Sequence, residues 1–373
     1  MRIGILTLNL HTNYGGILQA YALQTVLERM GHDVKVIRKN NLIHMPFMKK
    51  IVAYPYRFLK KIFFDREILI AREEVQKNNI QYLSKNVNSF VHKYIHSFMI
   101  NNLVDIRETD FDAFVVGSDQ VWRPKYFMSS WGNNVKNSFL DFAKDWKIKR
   151  YAYAASLGLD RWEYPSELKN DLMFLAKKFD KISVREKSSV SLCIQNLKVK
   201  PDFVLDPTLL LDRKDYEKLI PYSHNKESNL LFCYILDRTV EIKNFITRVS
   251  IEKKLNTSFM SAHTQKKILT EKDALPSIES WLQKFRDASF IITDSFHACV
   301  FSIIFHKPFV VLGNKERGMS RFESLLTTFG LESHLLYGIS DYDASMSYEL
   351  SSNCYEILSR LKINSSEFLQ TIK

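Results

Sequence analysis

The chain has 373 residues, 46% of them hydrophobic, and a formal net charge of +12. That length points to two domains with ordinary cores, and no stretch approaches the ~20 consecutive apolar residues of a membrane-spanning helix. The four cysteines, at 193, 233, 299 and 354, form no close pair, which excludes a CxxC zinc or redox motif and fits a reducing compartment.

Residues 2–8 read as a strand, 11–16 as a loop, 17–30 as a helix stopped by Gly31, and 34–37 as a second strand. The first apolar run is too short for a signal-peptide core, so a cytoplasmic location is expected. Gly15 and Gly16 let backbone amides approach a ligand, but the spacing is neither GxGxxG nor a P-loop. No dinucleotide site is indicated, and a tight βα turn fits the pair as well as a binding loop does. Residues 44–66 then hold Lys49, Lys50, Arg57, Lys60, Lys61 and Arg66 against Asp65 alone. At ~100° per residue, Phe47, Ile51, Phe58 and Ile62 share one side with Met48, Val52, Leu59 and Phe63, and the lysines and Arg57 take the other. Such a stretch can lie on an anionic membrane surface, giving a peripheral place on its inner face. The competing reading is a helix that covers a domain core and is kinked at Pro55. Nucleic acid is not expected, because no recognised binding motif accompanies the charge.

Residues 65–105 read as helical. Three strands follow, each running into a polar turn: Gly117-Ser118-Asp119, Ser156-Leu157-Gly158 and Arg185-Glu186. They are expected to deliver Ser118, Asp119, Ser156 and Arg185 to one edge of a parallel sheet. Residues 203–208 read as the crossing into a second domain, whose sheet begins at 230–236. There an apolar run stops at Thr293-Asp294-Ser295, residues that cap helices, before a helix over 296–305 and a strand over 309–312. His297 thus falls in the first turn of a helix at the carboxyl end of a strand. Open α/β sheets bind ligands at that edge, and the helix dipole favours an anion there. A histidine that merely caps its helix is the bland alternative. The expected architecture is α/β, with two Rossmann-like domains facing across a cleft (GT-B-like). The first covers 1–200, on the acceptor side with the basic insertion 44–66; the second covers 201–340, on the donor side with His297. A helical tail, 341–373, returns to the first.

Several segments occur together in the order found in polysaccharide pyruvyl transferases, and over about residues 1–335 the chain resembles that family. They are Asn13-Tyr14-Gly15-Gly16, Val116-Gly117-Ser118-Asp119-Gln120-Val121-Trp122, Tyr153-Ala154-Ala155-Ser156-Leu157-Gly158, Ser183-Val184-Arg185-Glu186, Leu205-Asp206-Pro207-Thr208, Thr293-Asp294-Ser295-Phe296-His297, and the loop from Asn314 to Phe322. The resemblance implies transfer of pyruvate from phosphoenolpyruvate to two hydroxyls of a sugar, giving a cyclic ketal with no metal or cofactor. It implies His297 and Asp119 in catalysis, with Asp119 equally readable as a turn residue. It places Arg185, Ser295 and the cations Lys315, Arg317 and Arg321 on the donor. Asn13, Tyr14, Gly15, Gly16, Ser118 and Ser156 fall on the acceptor, a sugar or lipid-linked oligosaccharide. Many relatives carry Arg-Leu-His-Gly where this chain has Ser295-Phe296-His297-Ala298, so Arg317 or Arg321 is expected to replace the missing charge. Two other readings share the two-domain cleft. One is a glycosyltransferase with a nucleotide-sugar donor, separable by nucleoside diphosphate binding; the other is a carbohydrate-binding protein that releases no phosphate.

Overall fold

A computed structural model of the chain describes residues 1–40, 47–63, 70–222, 228–260, 269–313 and 318–373. The amino-terminal half builds β1 (Arg2–Leu6), α1 (Tyr14–Arg29), β2 (Asp33–Lys39), α2 (Phe47–Phe63), α3 (Arg72–Tyr94) and β3 (Ser97–Ile100). It continues through β4 (Ala113–Val116), α4 (Pro124–Trp131), β5 (Lys149–Ala155), α5 (Lys169–Ala176), β6 (Lys181–Val184), α6 (Lys187–Leu197) and β7 (Asp202–Phe203). All seven strands form one parallel sheet in the order β3-β2-β1-β4-β5-β6-β7. The central strands are buried on both faces, which explains their near-continuous apolar runs: Ile3 to Leu6 and Ala113 to Val116 are all buried. The strand Ser97–Ile100 lies inside 65–105, read as helical; four residues at the sheet edge are too few to show a period of two.

The second half adds α7 (Arg213–Glu217), β8 (Leu230–Tyr234), α8 (Val240–Lys253), β9 (Asn256–Met260), α9 (Ile278–Asp287) and β10 (Ala288–Thr293). Then come α10 (Phe296–Ile304), β11 (Phe309–Leu312), α11 (Met319–Phe329), β12 (Leu335–Leu336) and α12 (Ser352–Gln370). Its five parallel strands run in the order β12-β11-β10-β8-β9.

Strand order decides where a ligand can sit. In each sheet the chain reverses its direction of travel once, between β1 and β4 in the first and between β8 and β10 in the second. At such a switch point the loops leave in opposite directions and open a crevice at the carboxyl ends of the strands. The two crevices face each other. Tyr14, at the start of α1, is buried between the halves: its ring stacks on Trp281 at 5.6 Å and its hydroxyl donates to the Pro276 carbonyl at 2.6 Å. This is the expected GT-B-like arrangement of two doubly wound sheets.

The carboxyl-terminal helix α12 is no appendage. Phe368 and Leu369 are buried, the Phe368 ring lies 5.8 Å from Tyr153 of β5, and the Ser365 hydroxyl accepts a hydrogen bond from the Leu205 amide at 3.0 Å. The helix thus returns to the first sheet. Phe368→Ala is expected to cost about 3–5 kcal/mol of unfolding free energy, as for other buried Phe truncations. Urea denaturation checks this, and a variant as stable as the parent would mean that α12 is dispensable.

Candidate active site

The facing crevices enclose a cavity of about 210 Å³. The first sheet supplies Leu8, Thr12 and Asn13 from the loop after β1, and Asp119, Gln120 and Tyr126 from beyond β4. The second supplies Tyr234 and Leu236 from the end of β8, Asp294, Ser295, Phe296 and His297 from the turn into α10, and Arg321 of α11. A larger, open depression of about 700 Å³ lies beside α8. Its charged residues are Glu241 and Arg248, and Arg248 faces Glu252 at 3.8 Å and the rings of Phe245 and Tyr342. The smaller cavity is where both sheets present their switch points, and it holds the charge.

The polar side chains around it come in two layers. Behind the wall Arg185, with its side chain 1% exposed, is bonded on every side. It donates to Asp206 at 2.7 Å, to Glu186 at 3.0 Å and to Asp119 at 3.3 Å, and its guanidinium lies 4.4 Å from the centre of the Phe296 ring. Burial alone would lower the Arg185 pKa, but the three carboxylates outweigh it and raise the value. Burial likewise favours protonated Asp206, yet His297, Arg185 and the Thr208 hydrogen bonds hold its pKa below the usual range. Arg185 therefore does not line the cavity, contrary to its expected place on the donor. Its physical effect there is to fix Asp119 and Asp206.

His297 faces Asp206, with Nε2 at 3.7 Å from Oδ2 and no hydrogen bond to that nitrogen. Its ring is buried, and desolvation lowers its pKa below 6.5 despite the opposing pull of Asp206 and Asp119. Burial thus pulls the ring toward its neutral form. Gly15 of α1 seats the ring from the other domain: a methyl group at Gly15 would overlap His297 itself. Two helix amino termini, of α1 and α10, thus meet at the cavity, and each favours negative charge. Ser295 is the N-cap of α10 but does not cap with its side chain. Arg321, 7% exposed, is the one arginine or lysine lining the cavity among the described residues, and burial lowers its pKa to about 10. Both guanidinium groups flank Phe296, Arg321 at 5.6 Å.

Several expected ligand residues hold the scaffold instead. Tyr14 is the interdomain contact described above. The Ser118 hydroxyl donates to the Ala154 carbonyl at 2.9 Å, and the Ser156 hydroxyl donates to Glu186 at 2.6 Å. Both serines are fully buried and do not line the cavity. Of the expected acceptor set Asn13 does line it, while Gly15 and Gly16 form the start of α1 behind it. Gly117 allows the turn at Asp119: its φ is +126°, and a Cβ there would strike the Tyr153 carbonyl. Lys315 and Arg317 lie outside the described residues. Asp206, Gln120, Tyr126 and Phe296 were not expected. Asp206, Gln120 and Phe296 lie in segments that carry the resemblance, and Asp206 has a further signal, since it stands at the N-cap of a 3₁₀ turn with Pro207 and Thr208 behind it. Among the described residues no set of three His, Cys, Asp or Glu side chains is placed to hold a metal ion.

The family model for polysaccharide pyruvyl transferase matches residues 13–316, most of the chain, and of the residues lining the cavity only Leu8, Thr12 and Arg321 fall outside it. The chain belongs to the polysaccharide pyruvyl transferase family. Membership makes it a transferase of polysaccharide pyruvylation. Among curated proteins none matches it in sequence. Solved structures with a similar course include the UDP-GlcNAc 2-epimerase from Neisseria meningitidis bound to UDP-GlcNAc, at 12% identity and TM-score 0.47, covering 100% of this chain and 94% of that one. A Streptomyces glycosyltransferase aligns at 11% identity and TM-score 0.44, over 100% and 99% of the two chains. So distant a likeness carries nothing about substrate.

The buried charge cluster sets a stability test. Arg185→Met would leave Asp119, Glu186 and Asp206 facing one another without their cation, a change expected to cost about 3–5 kcal/mol at pH 7. Without the arginine, buried carboxylates meet with no compensating cation, so the variant loses stability as pH rises and negative charge builds up among them. In the parent, Asp206 is depressed and its contribution is lost as pH falls. The gap between the two proteins should therefore shrink toward acid pH in urea titrations. An equal gap at pH 5 and pH 8 would show that the cluster is not charge-compensated as described.

Proposed function

We propose that the cavity binds phosphoenolpyruvate and that the enzyme transfers its pyruvyl group to two hydroxyls of a sugar, in a polysaccharide or its lipid-linked precursor, releasing phosphate. The observation that carries this reading is the buried Nε2 of His297, which makes no hydrogen bond, placed beside Arg321 where two helix amino termini converge. A compact anion with an alkene to protonate suits that combination. The cavity volume also supports it, since about 210 Å³ is below the roughly 300–1,000 Å³ of pockets that hold drug-sized ligands, and a nucleotide sugar is larger than phosphoenolpyruvate.

In this reading Arg321, the α10 amides and Ser295 hold the donor's anionic groups. The incoming negative charge raises the His297 pKa, so the ring takes up a proton as the donor binds. His297 then delivers that proton to the methylene carbon, and the alkene's electron pair leaves C2 electron-poor. A sugar hydroxyl adds there while Asp119 accepts its proton. Phosphate departs with the C–O bonding pair and the proton held by Asp119. The second hydroxyl closes the ketal, and its proton returns to His297. General acid–base assistance of this kind contributes about 10²–10⁴ in rate. Arg185 acts as a positioning residue that aims Asp119 and Asp206.

His297→Gln should remove nearly all phosphate release and ketal formation, read as inorganic phosphate and a mass gain on a panel of galactosides, glucosides and mannosides. Activity near the parent's would sink the assignment. Donor binding should also weaken about tenfold per pH unit above the free-enzyme pKa of His297, until the pKa of the complex is passed. Calorimetry in buffers of different ionisation enthalpy should show proton uptake in the parent and none in His297→Gln. Arg321→Ala should raise KM for phosphoenolpyruvate about ten- to hundredfold, the loss of one charge-assisted contact, without an equal change for the acceptor. An unchanged donor KM would place the donor elsewhere.

A further inference from the structure

Helix α2 shows its apolar side to solvent. An ordinary surface helix turns that side to the core, but α2 is tied to the body by its polar residues. Lys50 Nζ lies 3.0 Å from Glu74 Oε1, the Tyr54 hydroxyl donates to the same oxygen at 3.4 Å, and the Arg57 guanidinium donates to the Ile70 carbonyl at 3.1 Å. Those three positions fall within one arc of a helical wheel. The opposite arc holds Ile51, Val52, Tyr56, Phe58, Leu59 and Ile62, which are 51–73% exposed. No other element among the described residues exposes as many large apolar side chains. The reading of this segment as a core-covering helix is therefore corrected, because the face that would cover a core points away from it.

The charge of the helix says what covers that face. Residues 47–63 contain five cations, Lys49, Lys50, Arg57, Lys60 and Lys61, and no acidic residue. Lys49 and Lys60 fall at one border of the apolar arc, and from there the exposed Lys60 side chain can reach headgroup phosphates while its stem lies along apolar surface. With 17 residues the helix is about 25 Å long, enough to lie in an interface and too charged to cross one. No described helix is long and apolar enough to span a membrane.

We infer that α2 is a membrane-surface anchor that lies in the interface of an anionic lipid bilayer, its apolar arc in the acyl boundary and the cations at the border of that arc toward the headgroups. This stands independently of the reaction in the cleft, to which α2 contributes no lining residue. Anchored this way, the enzyme would meet acceptors carried on lipid.

The test is co-sedimentation of the full chain with phosphatidylcholine vesicles, with and without phosphatidylglycerol. The parent should sediment with the anionic vesicles alone and be released by salt. Lys49→Gln/Lys60→Gln should weaken binding on the order of tenfold or more, at several-fold per cation near an anionic surface. Val52→Ser/Phe58→Ser/Leu59→Ser, all at exposed positions, should also lose binding while keeping the parent's circular dichroism and melting curve. Three outcomes would overturn the inference: no binding of the parent to anionic vesicles, equal binding to neutral ones, or either variant sedimenting like the parent. If the serine variant instead turns a dimer into a monomer by light scattering and vesicle binding is absent, α2 joins two copies of the chain and the lipid assignment is wrong.

Discussion

One buried guanidinium holds the first domain's half of the site in place. Three parallel strands bring Asp119, Ser156 and Arg185 to the same sheet edge, and Asp206 arrives from the segment that leaves the sheet. Without a cation these carboxylates would repel one another in a low-dielectric interior. Arg185 offers donors in a planar fork that satisfy all three acids at once. The surrounding serines then fill in the remaining acceptors. Ser156 and Ser189 bond Glu186, Ser118 bonds the Ala154 carbonyl, and each removes an orphan acceptor. The wall of the cavity is thus an electrostatic assembly before it is a hydrophobic one.

The second domain contributes the complementary half with little charge of its own. Helix α10 is buried along its whole length, so its first turn cannot tilt, and His297 is carried at a fixed depth. Asp294 is occupied in holding the loop after β8, accepting the Leu236 and Asp237 amides at 2.7 and 2.9 Å. Arg321, from a different helix, is the described cation at the cavity.

Much of this was legible in the sequence, for identifiable reasons. Apolar runs that stop at polar turns gave β4, β5, β6 and β10 and the residues at their ends, since buried parallel strands and capping residues leave separate marks. The direction in which a polar side chain points left no such mark. Tyr14, Ser118, Ser156 and Arg185 read as ligand-facing, yet each turns inward to satisfy a carbonyl or a carboxylate. Asp206 was visible only as part of a segment between domains, because its partners lie far away along the chain. The edge strands β3 and β9 are short and carry polar residues, which obscures alternation. In α2 the two faces were evident, but periodicity carries no information about which one faces the body.

The contact between Gly15 and His297 joins the two domains at the cavity. Helix α1 covers the imidazole from across the cleft, so the burial that depresses its basicity depends on both separately built sheets. Prising the domains apart by a water's width would rehydrate the ring and return it to ordinary solution behaviour. The cleft therefore acts as its own safeguard: an open molecule has an unremarkable histidine, and neither half expressed by itself would contain a site at all.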